Sequence, residues 1–184
     1  MTDAAQLLAA DLAAEFGETA WFEQIGAAPR PEDRRLAQDY FARLGMKGMV
    51  AVWLHDLGAA EAVLQRNETF AAWESAERQA ALALTNAAAA ALGAAAASEA
   101  VNRAMLAASD AAMSAARRIF RAKDCDDEAL MRVAAGAAGR AAGEYALLLL
   151  AGVDPSHHAF AAKQRLFAAG RWPLVAIDDQ FALL

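Results

Sequence analysis

Three histidines, a single cysteine and one run of acids are the residues whose types could do chemistry. His157 and His158 are adjacent. Two helical ligands of one ion usually stand four residues apart, whereas neighbours on a helix diverge by about 100°. Asp154 lies close by in sequence, and His55 with Asp56 could approach only through the fold. No metal site is therefore expected, and the pair reads as a polar helix end, where a positive terminus disfavours a charged imidazole. His55 and Asp56 share an apolar segment with Trp53, the aromatic–polar grouping best suited to line a pocket or to move a proton. A core histidine with a satisfied partner is the plainer reading. Cys125 lies in Asp124-Cys125-Asp126-Asp127. Nearby acids raise a thiol's pKa, while a helix N-terminus lowers it. With no histidine near it in sequence, Cys125 reads as a loop residue between two helices. The same acids with Glu128 could hold Mg2+ against a diphosphate only if a second acidic cluster faced them. The sequence has none, and helix capping accounts for the run.

Other motifs are missing too. The chain has no Glu-x-x-His pair of the kind that builds carboxylate di-metal bundles. Nor does it have a glycine-rich phosphate loop, a GxSxG elbow or an HExxH helix. No cofactor is expected.

Any site must be positioned by helices, and one stretch organises them. Residues 126–152 open with Asp126, Asp127 and Glu128, acids that suit the positive end of a helix, and close on Gly152. Glu128, Arg132, Gly136, Arg140 and Glu144 fall on one i, i+4 row, and the rest of the cylinder is apolar, so the helix must be covered on most sides. Gly136, Gly139 and Gly143, with Ala135, Ala142 and Ala146, give a face almost without side chains. It packs either internally or against a second copy of the chain.

The other elements follow from local signals. A first helix runs from Thr2 or Asp3 to Phe16, with Leu8, Leu12 and Phe16 as its stripe and Gly17 as its end. Trp21, Phe22 and Ile25 tuck against the bundle, and residues 26–31 form a loop. Pro31 takes the first helical position, ahead of Glu32 and Asp33. Residues 49–57, MVAVWLHDL, can be a helix or a buried strand; helix is expected because its neighbours are helical. Asn67 or Thr69 caps a helix carrying Phe70, Trp73, Leu82, Leu84 and Leu92. Gly93 makes a kink or turn before a helix with two apolar rows, which include Met105 and Met113. That helix ends in Arg117, Arg118, Arg121 and Lys123, placed to pair with the acids that follow. Asp154 and Pro155 start a helix ending at Gly170. Residues 174–177 and 180–184 can pair about Asp178-Asp179 as a short β-hairpin, which must pack on something because a lone hairpin is marginal.

The expected fold is all-α: six to eight helices around the small-residue helix at 126–152, with a C-terminal hairpin at 174–184. It is expected as one domain over 1–184, with 171–184 an extended tail or hairpin packed on it. Alanine is about 30% of the chain, and as the best helix former and a weak hydrophobe it explains the 58% hydrophobic content without a membrane span. No window of about 20 residues is both uncharged and rich in large apolar groups. The N-terminus carries acids where a signal peptide would be basic. A net charge of −6 argues against a protein that tracks nucleic-acid phosphates. A cytoplasmic protein of bacterial type is expected.

Three functions remain. A non-catalytic interaction module (an adaptor, assembly chaperone or immunity-type protein) leads, with a protein partner that could be a second copy of the chain. The second is a small-molecule binder with an apolar pocket, for which Trp53, His55, Asp56, Trp73, Met105 and Met113 are candidate lining residues. The third is an enzyme using His55 and Asp56 or His157 and His158.

Overall fold

Asp127 starts the helix around which the others are arranged. Its Oδ1 accepts hydrogen bonds from Ala129 N at 2.7 Å and Leu130 N at 3.1 Å. Two of the N–H groups that a helix start leaves unpaired are thereby satisfied. A computed structural model describes residues 3–66 and 70–184. Its elements run α1 (Asp3–Glu18), α2 (Pro31–Arg43), β1 (Val50–Trp53), α3 (Leu57–Gln65), α4 (Ala71–Leu92), α5 (Ala94–Arg121), α6 (Glu128–Leu150), α7 (Ala159–Ala168), β2 (Pro173–Ile177) and β3 (Gln180–Leu183). This is an all-α bundle of seven helices with a small C-terminal hairpin, as the sequence leads one to expect. Among the described residues no helix is long and apolar enough to cross a membrane.

α6 is covered by α5 along most of its length, and also by α4 and α7. The glycines explain how α5 comes so close. A Cβ on Gly139 would overlap Ser109 Oγ and lie 3.0 Å from Met105 O, and one on Gly143 would lie 2.5 Å from Met105 Cγ. This part of the small-residue face is therefore taken up internally. Gly136 is different, because it is exposed and a Cβ there would meet nothing within 4 Å. The basic end of α5 and the acidic start of α6 do pair, through Arg117 and Arg121 with Glu128 and through Arg121 with Asp126.

Three expectations are corrected. Residues 49–57 are not a helix: Val50–Trp53 form β1, parallel to β3, in a sheet of order β1-β3-β2. Val50 N donates to Asp179 O at 2.8 Å and Leu54 N to Leu183 O at 2.7 Å, so the hairpin at the far end of the chain decides the conformation. Helix begins only at Leu57, where Asp56 Oδ1 accepts from Ala59 N at 2.7 Å. Gly17 does not end α1, which continues to Glu18. The helix expected from Pro155 is divided. Asp154 caps one 3-10 turn, Pro155–His157, and His158 then adopts an extended conformation and caps α7 through Nδ1, which accepts from Phe160 N at 3.2 Å. Gly93, at φ 83° and ψ 142°, separates α4 from α5 in a conformation that side chains disfavour. The caps expected at Asn67 and Thr69 lie outside the described residues.

The C-terminal segment is locked to the N-terminal half. Arg171 is 1% exposed and uses all five of its N–H donors. Nη1 donates to Gln24 O and Ala27 O, both at 2.7 Å. Nη2 donates to Ala28 O and Asp33 Oδ2, both at 2.9 Å, and Nε to Asp33 Oδ2 at 3.1 Å. Burial works to raise the Asp33 carboxyl, but the bonds from Arg30 and Arg171 outweigh it and hold its pKa below the usual carboxylate value. Trp172, Phe181, Leu183 and Leu184 are buried, and Phe181 sits among Tyr40, Phe41 and Trp73 with ring centroids 4.9–5.8 Å away.

The two kinds of glycine on α6 should respond oppositely. Gly139→Leu is expected to destabilise the fold by about 1–3 kcal/mol or more through overpacking. Gly136→Ala should stabilise it by up to about 1 kcal/mol through helix propensity. Urea unfolding of both variants checks this, and an unchanged midpoint for Gly139→Leu would contradict the close α5–α6 contact.

Candidate functional site

Four helices bring ionisable groups to one buried point. α4 carries Trp73 and Glu77 one turn apart, α2 carries Tyr40, α6 carries Glu144 and α7 carries Lys163. Lys163 Nζ donates to Glu77 Oε1 at 2.6 Å and to Glu144 Oε2 at 3.0 Å. The Tyr40 hydroxyl also donates to Glu77 Oε1. Trp73 Nε1 donates to Tyr40 Oη at 2.7 Å. None of the five is more than 9% exposed.

The charges there follow from two carboxylates sharing one ammonium. Burial works to lower the Lys163 pKa, but Glu144 and Glu77 together more than offset it, so the pKa is raised and the amine stays protonated. Burial raises the Glu144 pKa; Lys163 offsets this only in part, and Glu77 adds to it. Glu144 is thus the surplus acid. Burial, then the charge of Glu77, keeps the Tyr40 phenol protonated far above its ordinary range. An ammonium held this way is neither a nucleophile nor a base, since both roles need the neutral amine.

A cleft opens above the cluster, between α4 and α6. It has a volume of about 350 Å3, and Lys163 and Glu77 reach it from the cluster. Trp73, Phe181, Pro173 and Leu174 line it beside the Val133 and Ala137 positions of α6. Arg132, Gly136 and Arg140 complete it, the same i, i+4 row that leads to Glu144. A smaller hollow of about 200 Å3 adjoins it, sharing Trp73, Glu77 and Arg140 and adding Arg78 and Glu74. Arg78 and Arg140 are exposed and make no hydrogen bond or ion pair among the described residues. Arg132 donates through Nε to Glu128 O at 2.9 Å. The larger cleft is therefore lined by three cations and one carboxylate, on a chain of net charge −6.

Of the six candidate lining residues read from the sequence, only Trp73 lines this cleft. Trp53 is half-buried beneath the Arg171 guanidinium, 5.6 Å from its ring centroid. Met105 and Met113 are half-buried on α5, Met105 against Gly143. His55 and Asp56 form a 3.0 Å pair, with the His55 side chain 83% exposed. They line a roomier hollow of about 670 Å3 that also includes Cys125, Lys123 and the acids Asp124, Asp126 and Asp127. That hollow is a solvated surface where Asp56 and Asp127 cap α3 and α6. Among the described residues no three of His, Cys, Asp and Glu come together as a metal-binding group. His157 is exposed, and the pKa of His158 is lowered by burial and by the charge of Arg43.

Sequence reasoning passed over Glu77, Lys163 and Tyr40. One signal for Lys163 was present: a lone lysine within AFAAKQRLFA, on a helix otherwise suited to burial on most sides. Glu77, in the run ESAERQ, looks like any solvated helix residue.

Lys163→Met would leave two buried carboxylates without their cation. At neutral pH this should cost about 3–5 kcal/mol. A glutamate whose folded pKa is raised binds its proton more tightly when folded, so the deficit should shrink as pH falls toward the ordinary carboxylate value. Denaturant unfolding at neutral and mildly acidic pH measures it, and a constant deficit would show that the carboxylates are not what the lysine offsets.

Against protein-family models, characterised proteins and solved structures the chain shows no match, and the geometry of the cleft therefore carries the functional reading.

Proposed function

We propose that the chain is a small-molecule-binding protein whose ligand sits in the α4–α6 cleft, above the buried Glu77–Lys163–Glu144 cluster. The observation that carries this reading is convergence. Five polar or ionisable side chains from four helices meet beneath a cleft walled by apolar groups. Ligand sites have this composition: a mostly apolar hollow with a few fixed polar groups. Buried ion clusters are also weak contributors to stability compared with a well-packed apolar core, so one placed beneath a cleft is a natural candidate for a functional role.

Binding is favoured over catalysis by the state of the amine and the phenol in the cluster. Lys163 stays an ammonium and Tyr40 a phenol, so neither is poised to exchange a proton near neutral pH. An interaction module would instead gather apolar groups at its surface. The large exposed hydrophobics among the described residues are few: Leu7, Val50, Leu82, Leu106, Val133 and Val153.

Native mass spectrometry of the protein as purified, beside its denatured mass, tests the reading. A non-covalent adduct is expected, and Ala137→Trp, which fills the cleft from the surface of α6, should remove it while the fold persists. A clean mass for the unmodified chain, or an adduct indifferent to Ala137→Trp, would count against the cleft. The protein-interaction reading would then be pursued by affinity capture.

A further inference from the structure

We propose that the α4–α6 cleft receives a small organic monocarboxylate with an apolar body, its charged end seated over Gly136 between Arg132 and Arg140. The inference rests on the reading of the cleft as a ligand site and adds the chemical class of the ligand.

Gly136 is a glycine that packing does not explain. A glycine inside a helix costs about 1 kcal/mol relative to alanine, so it calls for a reason. Gly139 and Gly143 have one, because α5 lies against them. Gly136 has none in the packing: it is exposed, lies mid-helix in α6, and a Cβ there would meet nothing within 4 Å. What surrounds the vacant position is chemical. Arg132 and Arg140 stand one turn to either side of it on the same row, and all three line the cleft. The bare backbone lets a ligand group settle between two guanidiniums that a larger side chain would separate from it.

Arg140 makes no direct hydrogen bond or ion pair among the described residues, although its charge acts on Glu144, and Arg132 commits only its Nε to Glu128 O. Guanidinium forks of this kind match the two oxygens of a carboxylate. Glu77, the one acid in the lining, already accepts from Lys163 and Tyr40. Glu144 lies behind it, bound to the same ammonium. These carboxylates favour a ligand with one negative charge over a multiply charged phosphate. The body of the ligand would meet Val133, Ala137, Pro173 and Leu174, which offer no hydrogen-bonding side chain.

Octanoate and benzoate, each beside its uncharged amide, are suitable probes. Titrations of the full chain would be followed by NMR at the Gly136 amide and the Trp73 indole N–H. Both acids are expected to shift these signals and to bind more tightly than octanamide and benzamide by roughly tenfold or more, the worth of a charge-assisted hydrogen bond. Arg140→Gln, at an exposed side chain, should stay folded and remove that advantage. Gly136→Val should stay folded and weaken the acids. Amides that bind as tightly as acids, or acid binding that survives Arg140→Gln and Gly136→Val, would overturn the carboxylate assignment while leaving the cleft a ligand site. A cleft silent to all four probes would overturn both.

Discussion

An ammonium buried between two carboxylates sets the relative positions of three helices. Lys163 on α7 cannot leave Glu77 on α4 or Glu144 on α6 without stranding charge in the interior, which is costly. Tyr40 extends the constraint to α2, and Trp73 returns it to α4 through a second hydrogen bond. The two walls of the cleft above are carried by α4 and α6, which the ion cluster ties together. A second buried pair, Asp33 with Arg171, does the same for the end of the chain and fastens the loop before α2 to the segment entering the hairpin.

The two cores solve different packing problems. Along the middle of the α5–α6 contact the interior is built from Ala104, Ala108, Ala112, Ala134, Ala138 and Ala142, where the backbones approach closely, and larger groups such as Phe120 and Met131 fill one end. Gly139 and Gly143 permit that approach. Around the hairpin the interior is aromatic, with Tyr40, Phe41, Trp73 and Phe181 filling the space between α2, α4 and the sheet. The ion cluster lies at the join, drawing Tyr40 and Trp73 from the aromatic side and Glu144 from the alanine side. A site at such a boundary combines a rigid helical floor with a wall of larger groups that can contact a ligand.

Much of the fold was legible because its signals are local. The acids before α6, Pro31 at the start of α2, Gly93 between α4 and α5 and the Asp178-Asp179 turn each act within a few residues of themselves. β1 was not legible as a strand. Its hydrogen-bond partners lie at the opposite end of the chain, and nothing near Val50–Trp53 distinguishes a strand from a buried helix. The division at His158 escaped for a related reason: Asp154 and His158 are both competent caps, and spacing alone does not say that both are used. The site was harder still. The Glu128–Glu144 row was visible as a polar stripe, but its inner end at Glu144 is buried by Lys163, and that pairing joins residues on different helices. Histidine and cysteine drew attention by type, whereas the convergent groups are a lysine, two glutamates and a tyrosine, which become informative only once burial is known.

The cleft rests on a buried cluster in which two glutamates share one ammonium. NMR titration of the Lys163 Nζ resonance and of the Glu144 side-chain carboxyl carbon tests this most directly. The account expects Lys163 to keep its ammonium signal through neutral pH and to lose its proton above the ordinary lysine range, while Glu144 takes up its proton above the ordinary carboxylate range. A neutral amine at pH 7, or a Glu144 carboxyl that takes up its proton in the ordinary carboxylate range, would contradict it.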